Sequence, residues 1–155
     1  MIIMGIDPGL SVTGVGIIEV ERKQLIYKDA MTIRTGKLKK LEERLDYIYT
    51  EVCRLMDEFH PHICVVEEVF YSKNVKTAIT MGHTRGVILL AGRQKQMEIV
   101  SYTPREVKMS TVGNGAATKN QVQYMVQKIL AMKEKPFSLD ASDALALAIC
   151  HAQRL

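Results

Sequence analysis

The order in which hydrophobic periodicity changes along the chain is the feature that most constrains its fold. Three β-rich runs come first, "IIMGI", "GVGIIEV" and "QLIYKDAMTIRT", and only turn residues separate them. Such short connections favour antiparallel pairing. From residue 37 onward, apolar residues recur at intervals of three or four residues, which predicts an amphipathic helix that ends before Pro61. The apolar stripe consists of Leu38, Leu41, Leu45, Ile48, Val52, Leu55 and Phe59.

The rest of the chain alternates between strands and helices. "ICVVEEV", residues 63–69, predicts a strand buried on both faces, residues 75–94 predict a helix, and "EIVSYT" predicts a fifth strand. Helix-capping residues predict three more helices, beginning at "TPRE", at "TKNQ" and after Ser138. We therefore expect an α/β fold in which a five-stranded mixed sheet is flanked by helices, in one domain over residues 1–155.

Charge is distributed unevenly along the chain. Residues 1–72 hold nine Lys or Arg and twelve Asp or Glu, whereas residues 73–135 hold eleven against three. This basic block favours an anionic partner, nucleic acid first, although a solvated charged face is the alternative interpretation.

Composition excludes several classes of protein. No apolar run approaches the ~20 residues that a membrane span needs, so we expect a cytoplasmic protein with no membrane partner. Cys53, Cys64 and Cys150 lie in apolar patterns without metal-ligand spacing, which predicts buried free thiols.

Four carboxylates are the candidates for chemistry. Asp7 ends the first strand and Glu67 ends the fourth; if these strands are parallel neighbours, both acids lie at one edge of the sheet. Asp140 and Asp143 share one face at the start of "DASDALALAIC", a helix apolar nearly all round. Taken singly, Asp7 could be a turn residue and the two aspartates helix-start charges. Glu68 should point the other way, as a structural or surface charge.

Four acids in one partly buried pocket would repel one another, and a divalent cation with oxygen ligands is the usual remedy. Mg²⁺ is the natural candidate. Two such ions that share a carboxylate can activate water and stabilise the leaving oxygen of a phosphodiester. The basic block would then bind the phosphate backbone of the substrate.

Four segments together resemble the RuvC family of Holliday-junction resolvases, which has the RNase H-like fold. They are "GIDPGLSVTGVGII", "VVEEVFYSKN", "REVKMSTVGNGAATKNQV" and "DASDALALAIC", in this order along nearly the whole chain. The resemblance implies a homodimer that makes paired, symmetric nicks in four-way DNA junctions during recombination and repair. It also implies two Mg²⁺ per subunit, with Mn²⁺ able to substitute, held by Asp7, Glu67, Asp140 and Asp143.

The same resemblance implies roles for residues outside the acid set. Lys108 and Lys119 match basic residues near the scissile strand, and Lys119 would stabilise developing negative charge. Phe70 resembles an aromatic residue that wedges into the junction and stacks on unpaired bases. Arg85 is a candidate DNA contact, or equally a structural salt-bridge partner. The implied partners are a branch-migration helicase motor and its junction-binding subunit.

Three other functions are compatible with parts of the sequence. "GIDPGLSVTG" also resembles the phosphate loop of actin-like ATPases and sugar kinases, but 155 residues leave no room for their second lobe. An RNase H-like nuclease acting on RNA or RNA–DNA hybrids is the main alternative. A non-enzymatic junction-binding module is the third.

Overall fold

The computed structural model describes residues 1–69, 74–134, 136 and 138–155, and a five-stranded mixed sheet organises them. The strands are β1 (Ile2–Asp7), β2 (Val12–Glu21), β3 (Gln24–Arg34), β4 (Ile63–Glu67) and β5 (Glu98–Tyr102). Their order across the sheet is β3-β2-β1-β4-β5. β1 to β3 pair antiparallel, as their short connections predict, whereas β4 pairs parallel with both β1 and β5. The predicted fold class is confirmed.

Five helices are described around this sheet. They are α1 (Leu41–Phe59), α2 (Val75–Gln94), α3 (Pro104–Val112), α4 (Lys119–Ile129) and α5 (Leu139–Ala152). The predicted caps are present: Thr103 and Thr118 each form a reciprocal capping box, and the Ser138 hydroxyl accepts a hydrogen bond from the Ala141 amide. These caps fix where the helices that carry the candidate site residues begin.

Two predicted boundaries are wrong by a few residues. α1 begins at Leu41 rather than near Leu38, because the Leu38 amide donates to the Thr35 carbonyl in a turn that precedes the helix. Leu41 is consequently 38 % exposed instead of buried in the stripe. β4 ends at Glu67, two residues before the end of its apolar run, and Glu68 lies exposed beyond it.

The sheet separates two hydrophobic cores. One core joins the sheet to α1 and α2 through residues such as Met4, Ile48 and Ile88, all completely buried. The other joins it to α3, α4 and α5. Leu145, Leu147 and Ile149 of α5 are at most 1 % exposed, so this helix is interior, as its all-round apolar pattern predicts.

Two expectations from composition can be compared with the structure. The three cysteines are free thiols; Cys64 and Cys150 are buried as expected, but Cys53 is only half-buried. None of the helices in the described ranges has the length and apolar character that crossing a bilayer requires.

α5 packs directly on the backbone of β1 and β2 because glycines face it. A Cβ atom at Gly5 would overlap the carbonyl oxygen of Ala144, and one at Gly14 would overlap that of Asp140. Gly14 pairs with Asp7 across the β1–β2 ladder. This close approach brings the start of α5, with its aspartates, beside the end of β1.

Candidate active site

Two of the predicted acids come together through strand topology. Asp7 is the last residue of β1 and Glu67 is the last residue of β4. The two strands are parallel neighbours, with Ile6 paired to Val66, so their carboxyl ends lie side by side. The structure therefore places Asp7 and Glu67 at one edge of the sheet, where open α/β sheets usually carry their sites.

The aspartates of α5 complete the cluster. Carboxylate oxygens of Asp7, Asp140 and Asp143 all lie within 4.8 Å of one another, a spacing that allows them to share one cation. Among the described residues, Glu67 is not a member of this group of three, but it lines the same cleft as Asp7 and Asp143. The predicted convergence of acids from distant parts of the chain is present in the structure.

The cleft beside this cluster has a volume of about 230 Å³. Its lining combines acids with Lys108 from α3, Lys119 from α4 and three apolar residues. The lining residues are Asp7, Glu67, Asp143, Lys108, Lys119, Pro104, Val107 and Val122. A site of this composition can hold cations at its carboxylates and an anionic group against its lysines.

Burial and mutual repulsion raise the pKa values of the acids. The pKa of Asp7 lies well above its ordinary range, first because the group is buried and then because Glu67 and Asp143 face it. Burial, followed by the charge of Asp143, also raises the pKa of Glu67. The pKa of Asp143 is raised by burial, although its hydrogen bond with Lys119 works against the shift. The cluster therefore carries more negative charge than its surroundings readily accommodate.

Lysines offset part of that charge. The Lys119 ammonium lies 2.9 Å from a carboxylate oxygen of Asp143 and 3.9 Å from one of Asp140. Burial alone would lower the pKa of Lys119, but Asp143, Asp7 and Asp140 raise it on balance, so Lys119 stays protonated. Lys108 acts in the same direction at longer range, since it lowers the pKa values of Glu67 and Asp143.

The donor set fits a hard divalent cation. Every candidate ligand is a carboxylate oxygen. Mg²⁺ and Mn²⁺ are suited to such ligands, whereas softer metals favour sulfur or imidazole ligands. Asp7 belongs to the group of three and also interacts with Glu67, and the same is true of Asp143. A cation would relieve the repulsion that raises the pKa of Asp7.

The remaining predicted residues have different surroundings. Arg85 lies half-buried on α2, where its Nε donates to the Glu67 carbonyl oxygen at 3.1 Å and its Nη2 donates to the Ser101 hydroxyl at 2.7 Å. Both contacts are hydrogen bonds to neutral groups rather than the salt bridge considered from sequence. Phe70 lies outside the described residues. Glu68 is exposed beyond the end of β4, in keeping with its predicted surface role.

The sequence did not identify the residues that surround and support the acids. Gly14 carries a recognisable signal, since "GVG" inside a strand often marks the close approach of another backbone. Ser101, the second partner of Arg85, has no comparable signal because it is one small polar residue in a short strand. Pro104 and Val107, which wall the cleft, read only as ordinary helix-start and core residues.

Comparison with known proteins places the chain in a family. The family model described as "Crossover junction endodeoxyribonuclease RuvC" matches residues 3–151. The chain belongs to the RuvC family. Relatives of the same name from Dictyoglomus thermophilum and Ruminiclostridium cellulolyticum are 44 % and 46 % identical, covering 97 % of this chain and 96 % and 91 % of theirs.

Solved RuvC structures share the fold over nearly the whole chain. Thermus thermophilus RuvC is 32 % identical with a TM-score of 0.88, covering 98 % of this chain and 93 % of its own. The same protein in complex with a Holliday junction substrate has a TM-score of 0.90 at 31 % identity and the same coverage. The yeast mitochondrial resolvase Ydc2 matches at a TM-score of 0.69 but only 11 % identity, covering 97 % of this chain and 77 % of its own, so this likeness concerns the fold alone.

Proposed function

We propose that this chain resolves four-way DNA junctions by paired, symmetric nicks through metal-dependent hydrolysis of phosphodiesters. The observation that carries the proposal is the acidic cluster of Asp7, Asp140 and Asp143 beside a cleft that Lys108 and Lys119 also line. Family membership supports the endonuclease activity, and the Thermus thermophilus relative was solved with a Holliday junction substrate. Cleavage would leave 5′-phosphate and 3′-hydroxyl ends.

The four acids would hold two Mg²⁺ ions, and Mn²⁺ would substitute. When bound, such ions supply an activated water and a Lewis acid for the leaving oxygen. Asp143 belongs to the group of three and interacts with Glu67; Asp7 does the same from the end of β1 and would be the shared ligand. Its position at the end of a central strand keeps it rigid, which a site of two closely spaced cations requires.

The lysines would bind the scissile phosphate. Lys119 is anchored on the first residue of α4 and is held protonated by the acids, so it can stabilise negative charge that develops on the phosphate. Lys108 faces the same cleft from α3 and would contact the backbone of the cleaved strand. The basic block of the sequence thus contributes at least two of its lysines to the site.

A homodimer would supply the second nick. One edge of α2 presents Val75, Ile79 and Leu90 in a stripe, with exposures of 61 %, 56 % and 51 %. Gly82 and Gly86 lie in the same stripe with open space above them, so a second helix could approach closely. A two-fold pairing of α2 with its copy would bury this apolar face and give two sites for a substrate with two-fold symmetry.

Other parts of the proposal rest on the resemblance. Phe70, which follows β4 in the chain, would wedge into the junction, and a branch-migration motor with its junction-binding subunit would deliver the substrate. A cytoplasmic location and a single nuclease domain over residues 1–155 complete the proposal.

The direct test is cleavage of a synthetic four-way junction in Mg²⁺, with both nicks mapped, beside a linear duplex and an RNA–DNA hybrid. We expect symmetric nicks in the junction alone. Asp7→Asn should bind the junction in Ca²⁺ and cut nothing, whereas the matched control Glu68→Gln, altered at an exposed acid outside the cleft, should cut normally. Preferential cleavage of the hybrid, or full activity of Asp7→Asn, would contradict the proposal.

A further inference from the structure

Arg85 links the ends of two strands at the edge of the cleft. Its guanidinium donates from Nε to the Glu67 carbonyl oxygen at 3.1 Å and from Nη2 to the Ser101 hydroxyl at 2.7 Å. Glu67 ends β4, and Ser101 lies in β5, where it pairs with Val66. One side chain from α2 therefore connects the last residue of β4 to the neighbouring strand.

The hydrogen bond from Arg85 helps to fix the backbone conformation of Glu67. On the β1 side, the last pair of the ladder is Ile6 with Val66, so Glu67 lies one residue beyond it. On the β5 side, the following amide, that of Glu68, donates to the Tyr102 carbonyl at 2.9 Å. The Glu67 carbonyl oxygen receives its hydrogen bond from Arg85. A half-buried carbonyl without a donor would cost free energy, so the contact holds the strand end in one conformation.

Arg85 reaches a different part of Glu67 from the lysines. Lys108 and Lys119 line the same cleft as Glu67 and act electrostatically on its carboxylate. Arg85 instead binds the main chain of the same residue, from α2. Only arginine offers two N–H donors in a fixed planar fork, which suits two acceptors on adjacent strands; lysine offers one compact ammonium.

We infer that Arg85 is a positioning residue for cleavage: it holds the end of β4 so that the Glu67 carboxylate points into the acidic cluster. This inference rests on the proposed nuclease function and extends it. A positioning role and a direct DNA contact differ in which measured quantity falls when Arg85 is substituted. A positioning role affects the rate of cleavage, whereas a contact with phosphate affects the affinity for the junction.

The test uses the full-length chain with Arg85→Lys and Arg85→Ala. Junction affinity is measured in Ca²⁺, and the single-turnover cleavage rate is measured in Mg²⁺ at saturating protein. We expect both variants to bind within about twofold of wild type and to cleave on the order of 10 to 100 times more slowly, the scale expected for a misplaced catalytic group. Arg85→Lys is the decisive variant, because it keeps the charge and loses the fork.

Arg93→Ala is the matched control. Arg93 lies on the same helix and is exposed near its end, so its removal changes the net charge of the chain by the same amount. We expect Arg93→Ala to cleave at the wild-type rate. Circular dichroism and the thermal midpoint show whether each variant is folded.

Ser101→Ala keeps the inference testable if the Arg85 variants are unstable. It removes one acceptor of Arg85 and leaves the bond to Glu67, so we expect unchanged affinity and a loss in cleavage rate of only about two- to fivefold. Free guanidinium at millimolar concentration should also restore part of the cleavage rate of Arg85→Ala.

The possible outcomes separate the two proposals. Wild-type cleavage by Arg85→Lys, or a loss that lies wholly in junction affinity and disappears at saturating protein, would overturn the positioning role. Failure of the wild-type chain to cut junctions in Mg²⁺ would instead contradict the nuclease function itself.

Discussion

Asp7 is the residue on which the site depends most. It is half-buried, interacts with three other acids, two of them within 4.8 Å, and pairs through its backbone with Gly14. Its negative charge is therefore unfavourable, and the strand ladder fixes its position. In the absence of a divalent cation, the ionised form of Asp7 is therefore unfavourable in the folded chain. That strain gives the carboxylate a strong preference for a bound cation.

The raised pKa of Asp7 predicts how stability depends on pH. A carboxyl group whose pKa is higher in the folded chain binds more protons when folded, so stability falls as pH rises from the ordinary value of 3.8 through the raised one. In EDTA at pH 8, Asp7→Asn should therefore be more stable than wild type by about 1 kcal/mol, or 2 to 4 °C in thermal midpoint. Below about pH 3 the two proteins should be equally stable, because Asp7 is then protonated in both states.

Divalent cation should reverse this difference. Added Mg²⁺ should raise the thermal midpoint of the wild-type protein at pH 8 and leave that of Asp7→Asn nearly unchanged. The measurement is thermal unfolding of both proteins from pH 3 to pH 8, with EDTA or Mg²⁺. Equal stability of the two proteins in EDTA at every pH would show that Asp7 is not strained.

At the scale of elements, the distance between α5 and the sheet sets the geometry of the cluster. Gly5 and Gly14 let the helix lie on bare backbone, and a side chain at Gly14 would overlap the carbonyl oxygen of Asp140. The same residue of α5 contributes a candidate metal ligand. The glycines of the sheet thus help to set the geometry of the site.

Gly14→Ala tests this dependence. The added Cβ should push the start of α5 away from the sheet, destabilise the fold by about 1 to 3 kcal/mol and lower the cleavage rate more than the junction affinity. Gly36→Ala is the matched control, because a Cβ at Gly36 meets nothing within 4 Å. Denaturant unfolding and single-turnover cleavage measure the two effects. A folded Gly14→Ala protein with normal cleavage would show that the close approach is unnecessary.

The sequence predicted elements well where local chemistry defines them. The bounds of α2 agree with those predicted. The helices α3, α4 and α5 begin at the predicted caps Thr103, Thr118 and Ser138, because each capping side chain accepts a hydrogen bond from an amide of the first turn. The start of α1 was wrong because a local turn at Thr35 competes with an apolar period that continues through it. Strand order depends on long-range pairing, which no local pattern encodes, so the order β3-β2-β1-β4-β5 could not be derived from the elements alone.

The site residues also differ in whether local sequence or long-range contacts determine their positions. Asp7 and Glu67 were predictable because the end of a strand is visible in the sequence, and acids there are uncommon unless they have a role. The contacts of Arg85 with Glu67 and Ser101 were not, because they join three elements far apart in the chain. Convergence of Asp140 with Asp7 required the resemblance or the structure.

At the scale of the whole molecule, the basic block has more than one use. Lys108 and Lys119 line the cleft, whereas Lys95, directly after α2, forms a salt bridge with Asp57 of α1. Net positive charge in one part of the sequence therefore does not by itself map a DNA-binding surface. The exposed apolar stripe of α2 is the second large-scale feature, and it bears on the proposed dimer.

Ile79→Asp tests the dimer. A charge in the middle of the stripe should prevent burial of this face, shift the protein to a monomer in sedimentation and reduce paired nicks to single ones. Tyr124→Ser is the matched control, since Tyr124 is 58 % exposed on α4, against 56 % for Ile79 on α2. An unchanged dimer in Ile79→Asp would exclude this face as the interface.

Carboxylates from β1, β4 and α5 lie close enough to meet around divalent cations. Titration of the chain with Mn²⁺, followed by electron paramagnetic resonance of the free ion, tests whether they do. We expect two bound ions per wild-type chain, a large loss of binding in Asp7→Asn and wild-type binding in Glu68→Gln. Equal Mn²⁺ binding by wild type and Asp7→Asn would show that the acidic cluster is not a cation site.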